Sequence, residues 1–384
     1  MLKTLLMLER TKRIRMPKAS ETSLEINLAS LRHNFEYLKS KLQKNTLFLA
    51  VVKAFAYGSN AAIIAKTLQG IGVDYFAVAY ISEGIALRKA GIKTPILVLH
   101  PQLNNLSLAI EHCLEPSLYT LKILKEFERV AQKLNQKNYP IHLKFNTGLN
   151  RLGFEPSELD LVAEQFSKTT ALKVKSVFSH LAASEDSEEK EFTLNQIKLY
   201  KSLSATLIEK LGYSVIRHLC NTSGVLNYPD AHFDMVRCGI GLYGYSNSAA
   251  EAKNLKPIAA LKSVISQIHR VSEGNSVGYN RGFISSQNSR IATLPIGHAD
   301  GIGRHFGHGV GHVSVRNKKA PIVGNVCMDM IMVDVTDIDC EEGDEVTLFG
   351  PKFSAEISAE TANTISYELI TGISQRVKRE IVDY

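Results

Sequence analysis

Along the first two thirds of the chain, two hydrophobic periods take turns. Short unbroken apolar runs at residues 47–52, 75–79 and 96–99 have the pattern of strands buried on both faces, and strands interrupted by polar residues are expected at 141–145 and 172–178. Weaker strand-like pieces lie at 25–28, at 115–118, near Val215 and near Met235. Between them, apolar residues fall at helical spacing, as with Leu31, Phe35, Leu38 and Leu42 in 29–42. The same spacing marks 60–68, 82–91, 103–111, 121–135, 157–166 and 192–211. Strand and helix alternate about eight times over some 230 residues, which predicts an α/β fold with an N-terminal (β/α)8 TIM barrel. An open doubly wound sheet is disfavoured, because no Gly-x-Gly-x-x-Gly turn follows the first strand.

From about Pro257 the rhythm changes. Strand-like pieces at 261–271, 289–294, 312–316, 320–323, 331–335 and 345–349 are separated by turn residues, with one helix near 358–365. Asn317-Lys318, between two alternating runs, predicts a hairpin turn. The expected organisation is a flexible extension over 1–20, a barrel over 21–256 and a C-terminal, mostly β domain over 257–384. Nothing repeats at a fixed period.

Composition narrows the classes. At 384 residues, 45% hydrophobic and 22% charged, the chain is long enough for two domains and a large core. The net charge of +7 is concentrated in part in Lys3, Arg10, Lys12, Arg13, Arg15 and Lys18, so the body is closer to balanced and nucleic acid is not an expected partner. Cys113, Cys220, Cys238, Cys327 and Cys340 are scattered and lack metal-ligand spacing. They are expected to be reduced thiols of a cytoplasmic protein with no metal centre. The apolar run 5–8 is too short for a signal peptide, and no run approaches the roughly 18 apolar residues of a membrane helix.

The candidate chemistry starts where the apolar run 47–52 ends abruptly in Lys53. In a barrel of parallel strands that end carries the active site, and a lysine in a partly dry pocket has a lowered pKa and acts as nucleophile or base. Four more clusters fall where later strands should end. They are Lys144 with Arg151, His180 directly after 174–178, the hydroxyl-rich turn His218-Leu-Cys-Asn221-Thr222-Ser223-Gly224, and Arg237-Cys-Gly239-Ile240-Gly241. Glycines there let backbone N–H groups approach a phosphate. Each cluster by itself has a structural explanation; five in order along consecutive strands suit an anionic, planar ligand attached to a lysine.

These residues resemble a known family. From about Glu25 to the end the chain is similar to the alanine racemases, fold-type III enzymes dependent on pyridoxal 5′-phosphate. The resemblance is carried by Ala50-Val-Val-Lys53-Ala-Phe-Ala-Tyr57-Gly58, Asn146-Thr-Gly-Leu-Asn-Arg151-Leu-Gly153, Val277-Gly-Tyr279, Pro295-Ile-Gly-His-Ala-Asp300-Gly301, Gly324-Asn-Val-Cys-Met328-Asp329 and Ile365-Ser-Tyr367-Glu368. It implies that Lys53 attaches the cofactor and serves as base on the D face, and that Tyr279 is the L-face base, contributed by the other subunit of a homodimer. It implies a phosphate grip from Tyr57, Thr222, the backbone at Gly239 and Ile240, and Tyr367, with Asn221 beside them. Arg237 is implied as partner of the pyridine nitrogen, oriented by His218. Arg151 and His180 resemble the groups that tune the tyrosine and the cofactor's phenolic oxygen, and Lys144 a position that is carbamylated in some members. Met328 is implied to meet the substrate carboxylate across the dimer.

The expected activity is racemisation of L- to D-alanine for peptidoglycan by two bases, Lys53 and Tyr279. A free tyrosine has a pKa near 10, so positive neighbours, Arg151 or His180, are expected to favour its anion. Departures from the family pattern are Phe55, Ser59-Asn60 and His298. These bear on entrance selectivity, hence on a broader-specificity racemase or a decarboxylase as the alternative; Tyr279, a base placed for reprotonation, argues against decarboxylation. A non-catalytic cofactor carrier would not need the β domain, and a fused cell-wall ligase would need a phosphate-binding Gly-x-x-x-x-Gly-Lys loop that is missing here.

Overall fold

The computed structural model describes residues 21–246 and 249–384; the extension expected over 1–20 lies outside them. The chain divides into two compact units. One comprises 25–259 together with 365–373 and 379–384; the other comprises 260–364, 374–378 and the described residues before Glu25.

In the first unit eight strands close into a barrel: β1 (Leu47–Val51), β2 (Tyr75–Val78), β3 (Ile96–Val98), β4 (Glu115–Leu118), β5 (Tyr139–Lys144), β6 (Leu172–Phe178), β7 (Ile216–His218) and β8 (Met235–Cys238). Each pairs in parallel with the next, and β1 closes on β8 in the register Leu47↔Met235 to Ala50↔Cys238. The intervening helices turn one apolar face inward. Leu121–Lys133, capped by the Thr120 side chain, buries Ile123, Leu124, Phe127 and Ala131. Burying a side chain such as Phe127 contributes about 2–3 kcal/mol, so the helices are held by packing more than by propensity.

The barrel interior is not uniform. Leu49, Val51, Tyr75, Ala77, Leu97 and Met235 form an apolar cluster on one arc. On the other arc the fully buried residues include His142 of β5, Ser176 of β6 and His218 of β7. Both termini of the barrel strands open onto cavities.

The second unit carries a sheet with β9 (Ala259–Val264), β10 (Gln267–Val271), β11 (Ser289–Leu294), β12 (His312–Val315), β13 (Lys318–Val323), β14 (Ile331–Asp334) and β15 (Glu345–Phe349), in the order β10-β11-β14-β13-β12-β15-β9. The run 261–271, expected as one strand, is two, because the chain changes partners: β9 pairs with β15 and β10 with β11. The hairpin turn sits one residue earlier than expected. Arg316 and Asn317 both have positive φ, +49° and +62°, the requirement of a two-residue type I′ turn between Val315 and Lys318. The helix expected near 358–365 is two short ones, Ala355–Thr361 and Ser366–Thr371, parted where Asn363 takes φ +53°. The second of them belongs to the barrel unit.

Candidate active site

Lys53 stands at the carboxyl end of β1, and the backbone after it bends sharply. Ala54, Phe55, Ala56 and Tyr57 hold φ of +52°, +56°, +55° and +53°, a left-handed turn that side-chain-bearing residues enter only when the surroundings enforce it. Glu83 supplies one restraint: its Oε1 accepts from Ala54 N–H at 2.7 Å while Oε2 accepts from Ala79 and Tyr80 N–H at 2.7 and 3.1 Å. Gly58, at φ +80°, closes the turn where a Cβ would fall 2.2 Å from the Ile370 carbonyl oxygen. The turn brings Tyr57 back over the barrel mouth, stacked on buried Tyr243 at 4.4 Å between ring centroids.

A cavity of about 940 Å³ opens there, lined entirely by the barrel unit. Its walls include Lys53, Tyr57, Lys144, Arg151, His180, Asn221, Thr222, Arg237, Gly239, Ile240 and Tyr367. The clusters expected from the sequence are thus brought together, save that His218 lies one layer deeper, fully buried behind Arg237. Tyr279 and Met328 belong to the β unit and are 75% and 60% exposed. Tyr279 lies in the turn of a short ribbon, Ser276–Val277 paired with Phe283–Ile284, where Asn325 Nδ2 donates to its carbonyl at 3.0 Å.

The cavity is cationic, and its cations are poorly relieved. Burial lowers the pKa of Lys53, with Arg151 adding and Glu83 opposing. Lys144, 7% exposed, is pushed down to about 8 by burial and then by Arg151, Arg237 and Lys53. Arg237 is lowered to about 10 by burial. Its Nη1 donates to His218 Nδ1 at 3.0 Å, and its Nη2 donates to His180 Nδ1 at 3.1 Å and to the Ser179 and Leu219 carbonyls at 2.7 and 2.9 Å. Arginine only donates, so both Nδ1 atoms must accept, and each ring carries its hydrogen on Nε2. Burial and Arg237 hold His180 and His218 well below the usual imidazole pKa, hence neutral. Of the two neighbours expected to bring positive charge, Arg151 or His180, the buried histidine is the one held neutral.

The anion-binding edge is equally particular. Thr222 Oγ1 accepts from Gly239 and Gly241 N–H at 3.2 and 3.3 Å, so its lone pairs are taken and its own hydrogen is left to donate. In this structure the Gly239 N–H is turned to Thr222, and the glycine also provides room, since a Cβ there would lie 2.4 Å from Tyr57 Oη. Ile240 opens the 3₁₀ turn Ile240–Tyr243, whose first N–H groups have no partner within the turn. Asn221 lines the cavity yet uses Oδ1 to cap Thr222–Asn227 through Gly224 N–H and to accept from Ser184. Burial raises Tyr57 to about 12 and raises Tyr367 further, so both remain protonated donors.

Sequence reasoning missed Glu83 as a support of Lys53, although its place in the first turn of a helix was visible. It also missed His142, a polar residue in the alternating run 141–145. Among the described residues no helix is long and apolar enough to cross a membrane, and no group of three or more His, Cys, Asp or Glu is placed to hold a metal.

Comparison with known proteins agrees with this geometry. Family models described as alanine racemase, N-terminal domain, and alanine racemase, C-terminal domain, match residues 26–247 and 258–381. The chain is 38% identical over 368 residues to alanine racemase 2 of Caldanaerobacter subterraneus subsp. tengcongensis, covering 93% of this chain and 94% of that protein. Among solved structures, the alanine racemase of Clostridium difficile 630 superposes with a TM-score of 0.88 at 34% identity, covering 95% of this chain and 96% of the other. The alanine racemase of Bartonella henselae with covalently bound pyridoxal phosphate gives 0.86 at 29%, covering 95% and 100%. With both of its parts matched and relatives of this closeness spanning nearly its whole length, the chain belongs to the alanine racemase family, isomerases that act on amino acids.

Proposed function

We propose that this chain interconverts L- and D-alanine with pyridoxal 5′-phosphate, as a cytoplasmic homodimer supplying D-alanine for peptidoglycan. The observation that carries the reading is the convergence, in one cavity, of a lysine with a lowered pKa, an arginine-held neutral histidine and a set of hydroxyl donors.

The residues present suit the cofactor. Thr222 has a hydrogen to give, Gly239 leaves space beside Tyr57, and Tyr57 and Tyr367 stay protonated, which together suit a phosphate. Arg237, which donates hydrogen bonds and has no lone pair with which to accept one, suits a neutral ring nitrogen. Lys53 would attach the cofactor. When bound, pyridoxal phosphate supplies the electron sink that makes the α-hydrogen of an amino acid removable.

The chain's own residues then divide the labour. Lys53 Nζ, neutral more readily than a free lysine, takes or returns a proton on one face of the substrate. Tyr279 Oη of the partner subunit does so on the other. The high exposure of Tyr279 and Met328 in the single chain is consistent with a surface that a second copy covers. Lys144 is depressed enough to be partly uncharged near neutral pH, the form that reacts with carbon dioxide, and a carbamate there would turn a repelled cation into an anion beside Arg151.

Proton NMR of alanine, and then serine, in deuterated water tests the reading. Deuterium should enter the α position of alanine while optical rotation falls to zero, and borohydride should tag Lys53. Exchange with serine but not alanine would redirect the substrate assignment, and a colourless protein indifferent to added pyridoxal phosphate would end it.

A further inference from the structure

Behind Arg237 the barrel interior holds an unbroken line of hydrogen bonds that no proposed catalytic role uses. His218 Nε2 meets Ser176 Oγ at 2.8 Å; Ser176 Oγ meets His142 Nδ1 at 2.5 Å; His142 Nε2 meets Glu115 Oε2 at 2.8 Å. Tyr75 Oη donates to the same Glu115 oxygen at 3.2 Å. The line crosses five adjacent strands, β8 to β4, and His142, Ser176 and His218 are fully buried. Glu115, with 13% of its side chain exposed, ends it.

The ends decide the direction of every link. Arg237 can only donate and an ionised Glu115 can only accept. His218 therefore accepts at Nδ1 and donates from Nε2, Ser176 donates to His142 Nδ1, and His142 donates from Nε2 to Glu115. With one hydrogen on each imidazole, reversing any link would set two hydrogens face to face or leave two lone pairs opposed. Arg237 has no carboxylate hydrogen-bonded to it among the described residues, so the nearest negative charge along this line is Glu115. Links in a low-dielectric interior polarise one another, which strengthens a line that runs one way from cation to anion.

We propose that Glu115 is a positioning residue for the active site: it ends the hydrogen-bond line as counter-charge and last acceptor, so fixes His142 in one tautomer and, through Ser176, backs the His218 ring against Arg237, whose fork orients His180. The assignment rests on the reading of the adjoining cavity as the cofactor and amino-acid site.

The test uses full-length protein labelled with ¹⁵N-histidine and loaded with pyridoxal phosphate. In the wild type, His142 and His218 should each show an unprotonated Nδ1 and a protonated Nε2. In Glu115→Ala the two nitrogens of His142 should average between tautomers and those of His218 should move. Leaving a buried donor unmatched should also lower kcat for alanine about tenfold, with KM changed less than about twofold. Glu115→Gln keeps a carbonyl acceptor without the charge, so its tautomers should hold while kcat falls part of the way; Tyr75→Phe should match the wild type in both readouts. Unmoved imidazole signals in Glu115→Ala, or an effect on KM alone, would overturn the proposal. A wild type that shows the expected tautomers but racemises no alanine would instead overturn the reaction and leave the line of hydrogen bonds standing.

Discussion

The two mouths of the barrel carry similar side chains and treat them in opposite ways. At the amino ends of β5 to β8 a cavity of about 690 Å³ is lined by Lys173, Lys175, Arg217 and Asp234 among others. Arg217 grips Asp234 through Nε and Nη2 at 3.0 and 3.4 Å and lies over the Phe233 ring, and Lys173 holds its ammonium 5.4 Å from the Tyr213 ring centre. Both lysines are exposed. At the carboxyl ends Lys144 and Arg237 are buried, and among the described residues neither is ion-paired. Charge type does not mark a site; charge withdrawn from water without a partner does, because that cost persists only where another group is to be met.

Removing the key amine should give the largest difference between the two mouths. Lys53→Ala is expected to lower racemisation by about a thousandfold or more, the scale of a lost acid–base group, and to abolish the borohydride tag, while Lys173→Ala at the other mouth leaves both intact. An equal loss in the two variants would mean that the mouths do not differ in kind. Less severe is Arg237→Glu. By placing an acid where only a donor stands, it should raise half-transamination of alanine, measured as pyridoxamine phosphate formed per turnover, and no rise would remove Arg237 from that role. Smaller again is Gly239→Ala, whose Cβ must displace Tyr57 Oη. Cofactor affinity by equilibrium dialysis should drop about tenfold, in line with the overpacking of a tight site.

Lys144 sharpens the contrast through pH. Its folded pKa of about 8 lies below the ordinary 10.5, so between those values the unfolded chain binds more protons and stability rises with pH. Below pH 8 the full cost of the buried cation is present. In carbon-dioxide-free buffer Lys144→Met should therefore melt higher than wild type at pH 7, with the gap closing between pH 8 and 10.5. A constant gap would show that the lysine is not held depressed. The smallest effect is expected at the amino-end mouth, where the Arg217–Asp234 pair is a third to two fifths exposed. Arg217→Ala should cost about 0.5 kcal/mol, since solvent screens such pairs, and leave racemisation within about twofold.

Much of this was legible in the chain. The alternation of apolar runs and helical spacing predicted the closed barrel, and the position of Lys53 at the end of such a run pointed to the mouth where a cavity gathers the expected residues. The departures have local physical causes. Residues 261–271 read as one strand because nothing in their pattern records a change of partner, and the hairpin turn was misplaced because Arg316 is an unusual occupant of positive φ. The left-handed turn at 54–57 could not be read, as Ala and Phe carry no preference for that conformation and Glu83, almost thirty residues on, helps hold it.

What the sequence determined alone is the set of local periods and the residue types at strand ends, because hydrophobic spacing is a property of near neighbours. Which nitrogen of His218 carries a hydrogen, and which cations go unrelieved, is settled by contacts made on folding. Those outcomes depend on residues 19, 42, 34 and 27 positions apart, met across adjoining strands. A proton settles by the field and the lone pairs around it, and these exist only once the barrel is closed.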